Sequence, residues 1–252
     1  MTVESHPVGI LSAIPPELAV LREGLELFEK VRLAGRAGAR GVLDGREVVL
    51  AEAGIGKVSA AVAVCLLVER WGCNPVVFTG VAGSLDPALG IGDVVVAERT
   101  IHHDSGVIGP EGLQRYQAGH VPFFNPTDAV GYLTPPDLLD RVRRRLDGLV
   151  LAPLTMGDGS APRILEGVIL TGDQFVNSET HRDRLRRELG AVAVEMEGAA
   201  VGQAASILGV DHLVVRSLSD LAGADSHLDF GRFLSEVAAN SAAVVRHLVP
   251  IL

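Results

Sequence analysis

Two short apolar runs that end in acid constrain this chain more than any other feature. Ala191-Val192-Ala193-Val194 runs into Glu195 and Glu197, and Leu213-Val214-Val215-Arg216 runs into Ser219 and Asp220. Between them, Gly198 to Leu208 reads as a helix. Apolar runs of this length bounded by polar residues suit buried strands, and a helical crossover lets two such strands lie parallel. In open α/β sheets, ligands gather at the carboxyl ends of strands. The acids at these two ends are therefore expected to face one crevice. Most Asp and Glu residues are solvated loop acids, and it is the pairing after two buried strands that separates these.

The rest of the chain repeats the alternation. Val8 to Leu11 reads as a first buried strand, ended by Pro15-Pro16. Proline suits a helix start, and Leu18, Leu21, Leu25 and Phe28 give Glu17 to Phe28 helical periodicity. Arg40 to Ala53 has the form of a hairpin turning at Asp44-Gly45. A helix is expected over Val58 to Trp71, then strands over Pro75 to Phe78 and Gly92 to Ile101. Residues 103 to 135, rich in Gly, Pro and aromatics, read as a long functional loop. An Arg-rich helix follows at 136–147, an irregular stretch at 152–163 and a strand at Val168 to Leu170. A charged surface helix at Glu179 to Leu189 and a closing helix at Phe230 to Leu248 complete the pattern. The expectation is an α/β fold: one domain over 1–252, with a central, mostly parallel twisted mixed sheet between helical layers.

Composition narrows the partners. The 252 residues are 48% hydrophobic, enough for one large core. A net charge of −9 repels phosphate backbones, which argues against nucleic acid. No apolar run approaches the roughly 18 residues needed to span a bilayer. The amino terminus Met1 to His6 lacks the basic and apolar regions of a signal peptide, so a cytoplasmic location is expected. Cys65 and Cys73 form no Cys-x-x-Cys pair, and Cys65, inside the apolar run Ala60 to Val68, is expected to pack in the core. His102 and His103 would point to opposite faces of a strand, so they are not expected to share a metal.

Two glycine loops lie at expected strand ends. Ala53-Gly54-Ile55-Gly56-Lys57 opens a helix, where anions are favoured, but it is neither a Walker A loop nor a three-glycine dinucleotide fingerprint. A tight packing corner explains it better. Thr79-Gly80-Val81-Ala82-Gly83 offers small residues where a ligand could approach the backbone.

With these residues in place the chain resembles the nucleoside phosphorylase superfamily, and within it the 5′-methylthioadenosine/S-adenosylhomocysteine nucleosidases. The matching segments are Ser12-Ala13-Ile14 with Glu17, Gly54 to Lys57, Thr79 to Gly83, Gly92 to Val95, His103-Asp104, Gly172 to Val176, Val194 to Glu197, Ser219-Asp220 and Ser226 to Phe230. The resemblance implies a three-layer α/β/α fold and hydrolysis of the bond between adenine and a 5′-substituted ribose, with no metal or cofactor. It implies that Asp220, positioned by Ser219, protonates adenine N7 and that Glu17 activates the attacking water. Glu197 would hold the ribose hydroxyls, with Met196 against the sugar. Phe175 would stack on the purine, the Val176 backbone would read its edge, Gly83 would line the pocket and Phe230 would pack near the substrate. It also implies a homodimer, to which the loop bearing Phe123 and Phe124 would contribute.

Phosphorylases of this superfamily resemble a pattern with Arg and Ser near the glycine loop, where this chain has Phe78 and Val81. An apolar pair cannot grip phosphate, so water is the expected nucleophile. Futalosine hydrolases resemble a pattern with Asn in place of Asp220, and the acid here favours a 6-aminopurine. A binding or storage protein of this fold would be expected to have lost an acid. Glu17, Glu197 and Asp220 are all present.

Overall fold

Adjacent residues of the buried strands feed different cores. In the computed structural model, which describes residues 6–155 and 159–252, Leu11, Phe78 and Val214 pack into one apolar cluster while Ile10, Val77 and Val215 pack into another. Successive side chains of a strand point to opposite faces, so this split requires a sheet covered on both sides. The chain runs β1 (Val8–Ser12), α1 (Pro15–Glu23), β2 (Glu26–Leu33), β3 (Arg36–Leu43), β4 (Arg46–Glu52), α2 (Lys57–Trp71), β5 (Val76–Ser84) and β6 (Val94–His102). It continues through β7 (Gly106–Gly109), β8 (Gly112–Arg115), β9 (Tyr132–Leu133), α3 (Pro136–Leu146), β10 (Ile164–Thr171) and α4 (Glu179–Leu189). It closes with β11 (Ala193–Glu195), α5 (Gly198–Leu208), β12 (His212–Asp220), α6 (Ser226–Leu248) and a short 3₁₀ turn. Helices α2 and α5 cover one face, and α1, α3 and α6 the other. No helix among the described residues is long and apolar enough to cross a membrane.

The sheet order is β11-β10-β6-β12-β5-β1-β4-β3-β2, with β9 beside β6 and β11 also pairing β5. The sheet is mixed, as expected, with parallel and antiparallel pairings side by side. β12 runs parallel to β5 but antiparallel to β6, and the β2–β3–β4 meander is antiparallel. The extra pairing of β11 with β5 curls one end of the sheet, bringing Val194 opposite Gly83.

Several expectations are corrected. The first helix stops at Glu23, and Leu25 to Phe28 lead into edge strand β2, where Leu27 and Phe28 are exposed. Their helical spacing was coincidental, because pairing with β3 outweighed local propensity. The segment 103–135 is not one irregular loop. It holds the β7–β8 hairpin and β9, and Tyr116 stitches it internally through its hydroxyl to Thr127 O (2.8 Å). Cys65 is exposed, since α2 buries Ala60, Ala63, Val64 and Leu67 at helical spacing and Cys65 lies off that stripe; Cys73 is the buried thiol. Residues 1–5 and 156–158, on which parts of two expectations rest, lie outside the described residues.

Candidate active site

A cavity of about 250 Å³ opens at the carboxyl ends of β1, β5, β11 and β12. All nine residues expected from the sequence line it: Glu17, Gly83, Phe175, Val176, Met196, Glu197, Ser219, Asp220 and Phe230. His227 is exposed on the first turn of α6 and is not part of the wall.

Glu17 is fixed by its place in the first turn of α1. Pro15 and Pro16 start the helix, and Glu17 reaches back over them. Its Oε2 accepts from the N–H groups of Ala13 (2.9 Å) and Ile14 (3.1 Å), and its Oε1 from Val81 N–H (3.1 Å). Burial lifts its pKa above the ordinary carboxylate value, and the Arg216 guanidinium and these three N–H groups oppose that. A carboxylate oxygen offers about two lone pairs. Oε2 is filled, and Oε1 keeps one for a further donor.

Asp220 ends β12 just after a register shift between Leu218 and Asp220. Such a bulge re-aims the side chains that follow it. The carboxyl accepts from Ala222 N–H through Oδ1 (2.9 Å) and meets the Ser219 hydroxyl at Oδ2 (2.9 Å). Ser219 Oγ also lies 3.3 Å from Ala82 O, and its single proton serves one acceptor at a time. Burial pushes the Asp220 pKa upward against the hydrogen bonds from Ala222, Ser226 and Ser219. Gly83 makes the approach possible, because a Cβ there would sit 2.8 Å from Asp220 Oδ1.

Glu197 lines the same cavity. Its Oε1 accepts from Gly56 N–H at 2.7 Å, and its Oε2 lies 3.3 Å from Arg216 Nη2. Burial first and the neighbouring Glu195 second push its pKa up to about 7. Phe175 and Phe230 meet edge to face at the mouth, ring centroids 6.2 Å apart, and Phe175 remains 50% exposed. Ile14, Ile55 and Val81 supply much of the remaining apolar lining.

The sequence reading missed the group that holds these acids together. Arg216 is fully buried, its guanidinium 4.4 Å from the centroid of Phe78 and ion-paired with Glu195 and Glu197. Glu195 also accepts from Glu197 N–H, Gly198 N–H and the Thr171 hydroxyl, so it is a structural anchor more than a free acid. A Cβ on Gly80 would lie 2.4 Å from Arg216 Nη1 and 2.5 Å from Glu17 Oε1, which is why glycine stands there. The available signal was an arginine inside an otherwise apolar strand, which needs a buried counter-charge. His102 and His103 are both buried, and among the described residues no group of three or more His, Cys, Asp or Glu could hold a metal ion.

Residues 7–250 match the phosphorylase superfamily model. A 5′-methylthioadenosine/S-adenosylhomocysteine nucleosidase of Mycobacterium tuberculosis is 51% identical over 248 residues, 97% of each chain. The chain belongs to this nucleosidase family of the phosphorylase superfamily. Among solved structures, the Neisseria meningitidis nucleosidase in complex with methylthio-immucillin-A is 32% identical with a TM-score of 0.83, over 98% of this chain and 100% of that one. Futalosine hydrolase of Helicobacter pylori is 31% identical with a TM-score of 0.82, over 98% of both chains. These similarities make the family's fold and the mixed sheet described above one and the same architecture.

Proposed function

We propose that this chain hydrolyses the N-glycosidic bond of methylthioadenosine and S-adenosylhomocysteine, releasing adenine. The observation that carries the choice of water over phosphate is the charge of the cavity. Glu17, Glu195, Glu197 and Asp220 line it, and no Lys, Arg or His is among its described lining residues. Arg216 is already engaged by Glu195 and Glu197. A phosphate dianion would meet carboxyl groups with no free cation to offset them. Water is neutral and enters without that repulsion.

In this reading Asp220, whose burial favours the protonated form, donates its proton to adenine N7 as the C1′–N9 bond breaks, so adenine leaves neutral. The ribosyl group gains oxocarbenium character, which the carboxylates of Glu17 and Glu197 stabilise. Glu17 Oε1 orients a water on the opposite face and takes its proton as the oxygen bonds C1′. This divides acid and base between two carboxyl groups, as in glycoside hydrolysis. Glu197 accepts from the ribose hydroxyls, with Met196 against the ring. Phe175 stacks on the purine, the Val176 backbone reads its edge, Gly83 admits it, and Phe230 closes beside it. The named substrates of the 51%-identical relative support the 5′-substituent assignment.

A substrate panel run with and without phosphate tests the reading. It takes methylthioadenosine, S-adenosylhomocysteine, 5′-deoxyadenosine, adenosine, inosine and aminodeoxyfutalosine. Adenine release from the first two, unchanged by phosphate, is expected. Turnover that requires phosphate and yields a sugar 1-phosphate overturns it.

The same reading includes a homodimer. Phe123 and Phe124 are 84% and 82% exposed, so local packing does not account for them. Apolar side chains this open suit an interface with a second copy. A monomer fully active in dilute solution by sedimentation and assay would rule it out.

A further inference from the structure

Three sequence motifs supply no reacting group to the chemistry above: Gly54 to Lys57, His103-Asp104 and Gly172-Asp173. All converge on the amino end of α2. Gly56 N–H donates to Glu197 Oε1 (2.7 Å), and Lys57 N–H donates to Asp173 Oδ1 (3.0 Å). Free N–H groups at a helix start attract carboxylates, and here both carboxylates come from cavity-forming segments. The Lys57 ammonium turns onto Asp104, 2.8 Å from each oxygen, and lies 3.7 Å from Asp173 Oδ2. Asp104 Oδ2 in turn accepts from Asp173 N–H at 3.0 Å. Burial pushes the Asp104 pKa up, but the Lys57 ammonium and the Asp173 N–H overcome this and hold it below the usual carboxylate range. The Lys57 and Asp104 side chains are 24% and 15% exposed, so their pairing is less screened than a surface ion pair.

We propose that Lys57 is a positioning residue for nucleobase affinity: by bridging Asp104 and Asp173 at the start of α2, it sets the segment 173–176 that carries Phe175 and Val176. The proposal rests on the substrate reading above for the roles of Phe175 and Val176. Without the ammonium, two carboxylates would face each other with no cation between them. Their repulsion would push the segment away from the helix, and Phe175 would move with it. Both backbone links, Gly56 N–H to Glu197 and Lys57 N–H to Asp173, would survive; only Asp173 sits beside the lost ammonium, so the loss falls on the base and spares the ribose. A helix cap with a purely structural role would lower the melting temperature and leave substrate affinity unchanged.

The test compares Lys57→Met, Lys57→Arg and Lys57→Met/Asp104→Asn. Lys57→Met is expected to raise KM for methylthioadenosine and weaken free adenine binding by calorimetry, each roughly tenfold, with a much smaller change in kcat. The double variant removes the repulsion and keeps an acceptor for Asp173 N–H, and it is expected to recover most of that loss. Lys57→Arg is expected to stay near wild type. Hydrogen exchange at the amides of 173–176 should quicken in Lys57→Met and slow again in the double variant, a readout that needs no turnover. If Lys57→Met does not fold, Lys57→Gln carries the same expectations. Unchanged adenine affinity and unchanged exchange in the folded single variant overturn the proposal. A wild type that releases no adenine overturns the substrate reading instead, and the exchange result then decides the positioning role.

Discussion

Replacing Asp220 by Asn isolates the proton from the shape of the group that carries it. Asp220 is 3% exposed, and its two oxygens face Ala222 N–H and the Ser219 hydroxyl at 2.9 Å each. An amide oxygen can accept from Ala222 N–H, and an amide NH₂ can donate to Ser219 Oγ, whose own proton can turn to Ala82 O. The exchange therefore costs at most about 1 kcal/mol of stability. The amide can still hydrogen-bond adenine N7, so KM should change little, but it has no proton to transfer. Losing a general acid costs roughly 10²–10⁴-fold in kcat, about 3–5 kcal/mol on the barrier. The assay is adenine release from saturating methylthioadenosine, beside Phe175→Ala. Stacking contributes roughly 1–3 kcal/mol, so the Phe175 variant should lose mainly affinity. The acid must be protonated to act, so wild-type activity is present below its raised folded-state pKa and lost as pH rises through it. A variant that keeps more than about a tenth of wild-type kcat would refute the assignment.

Glu17→Gln removes the base that takes the water's proton and should lower kcat by roughly 10²–10⁴-fold with the nucleoside still bound, which equilibrium binding of substrate can verify. Arg216→Met strips the buried counter-charge from Glu195 and Glu197 and should cost about 3–5 kcal/mol in urea unfolding; a loss below about 1 kcal/mol would contradict the role of the ion-pair cluster. Burial holds His212 at about 4 against an ordinary 6.5, so the unfolded chain binds a proton that the folded chain refuses. Its share of stability is present above pH 6.5 and is lost as pH falls toward 4, by up to about 3 kcal/mol. His212→Leu should flatten that part of the acid limb in denaturant titrations at a series of pH values.

Much of this was legible because local signals and burial agree along most of the chain. The runs at Val8, Pro75 and Leu213 lack polar interruption, and a doubly covered sheet is where such runs go. Leu25 to Phe28 misled because one helical period fits a few residues by chance, while the pairing of β2 with β3 is a long-range fact. Strand direction escaped for a similar reason: β6 runs antiparallel to β12, and nothing local in Val94 to His102 records its neighbour. At the site, Glu17 and Asp220 stood out as acids beside strand ends. Arg216 did not, because its meaning depends on Glu195 and Glu197, which lie on the far side of α5 in the sequence and meet it only in the fold. The linkage of Lys57 to Asp104 and Asp173 spans 47 and 116 positions along the chain and could not be read from spacing.

The most direct measurement follows oxygen. With methylthioadenosine in ¹⁸O-labelled water free of phosphate, a hydrolase places one label on C1 of every released sugar, beside an equal amount of adenine. Unlabelled sugar, or turnover that begins only when phosphate is added and ends in a sugar 1-phosphate, would contradict the account.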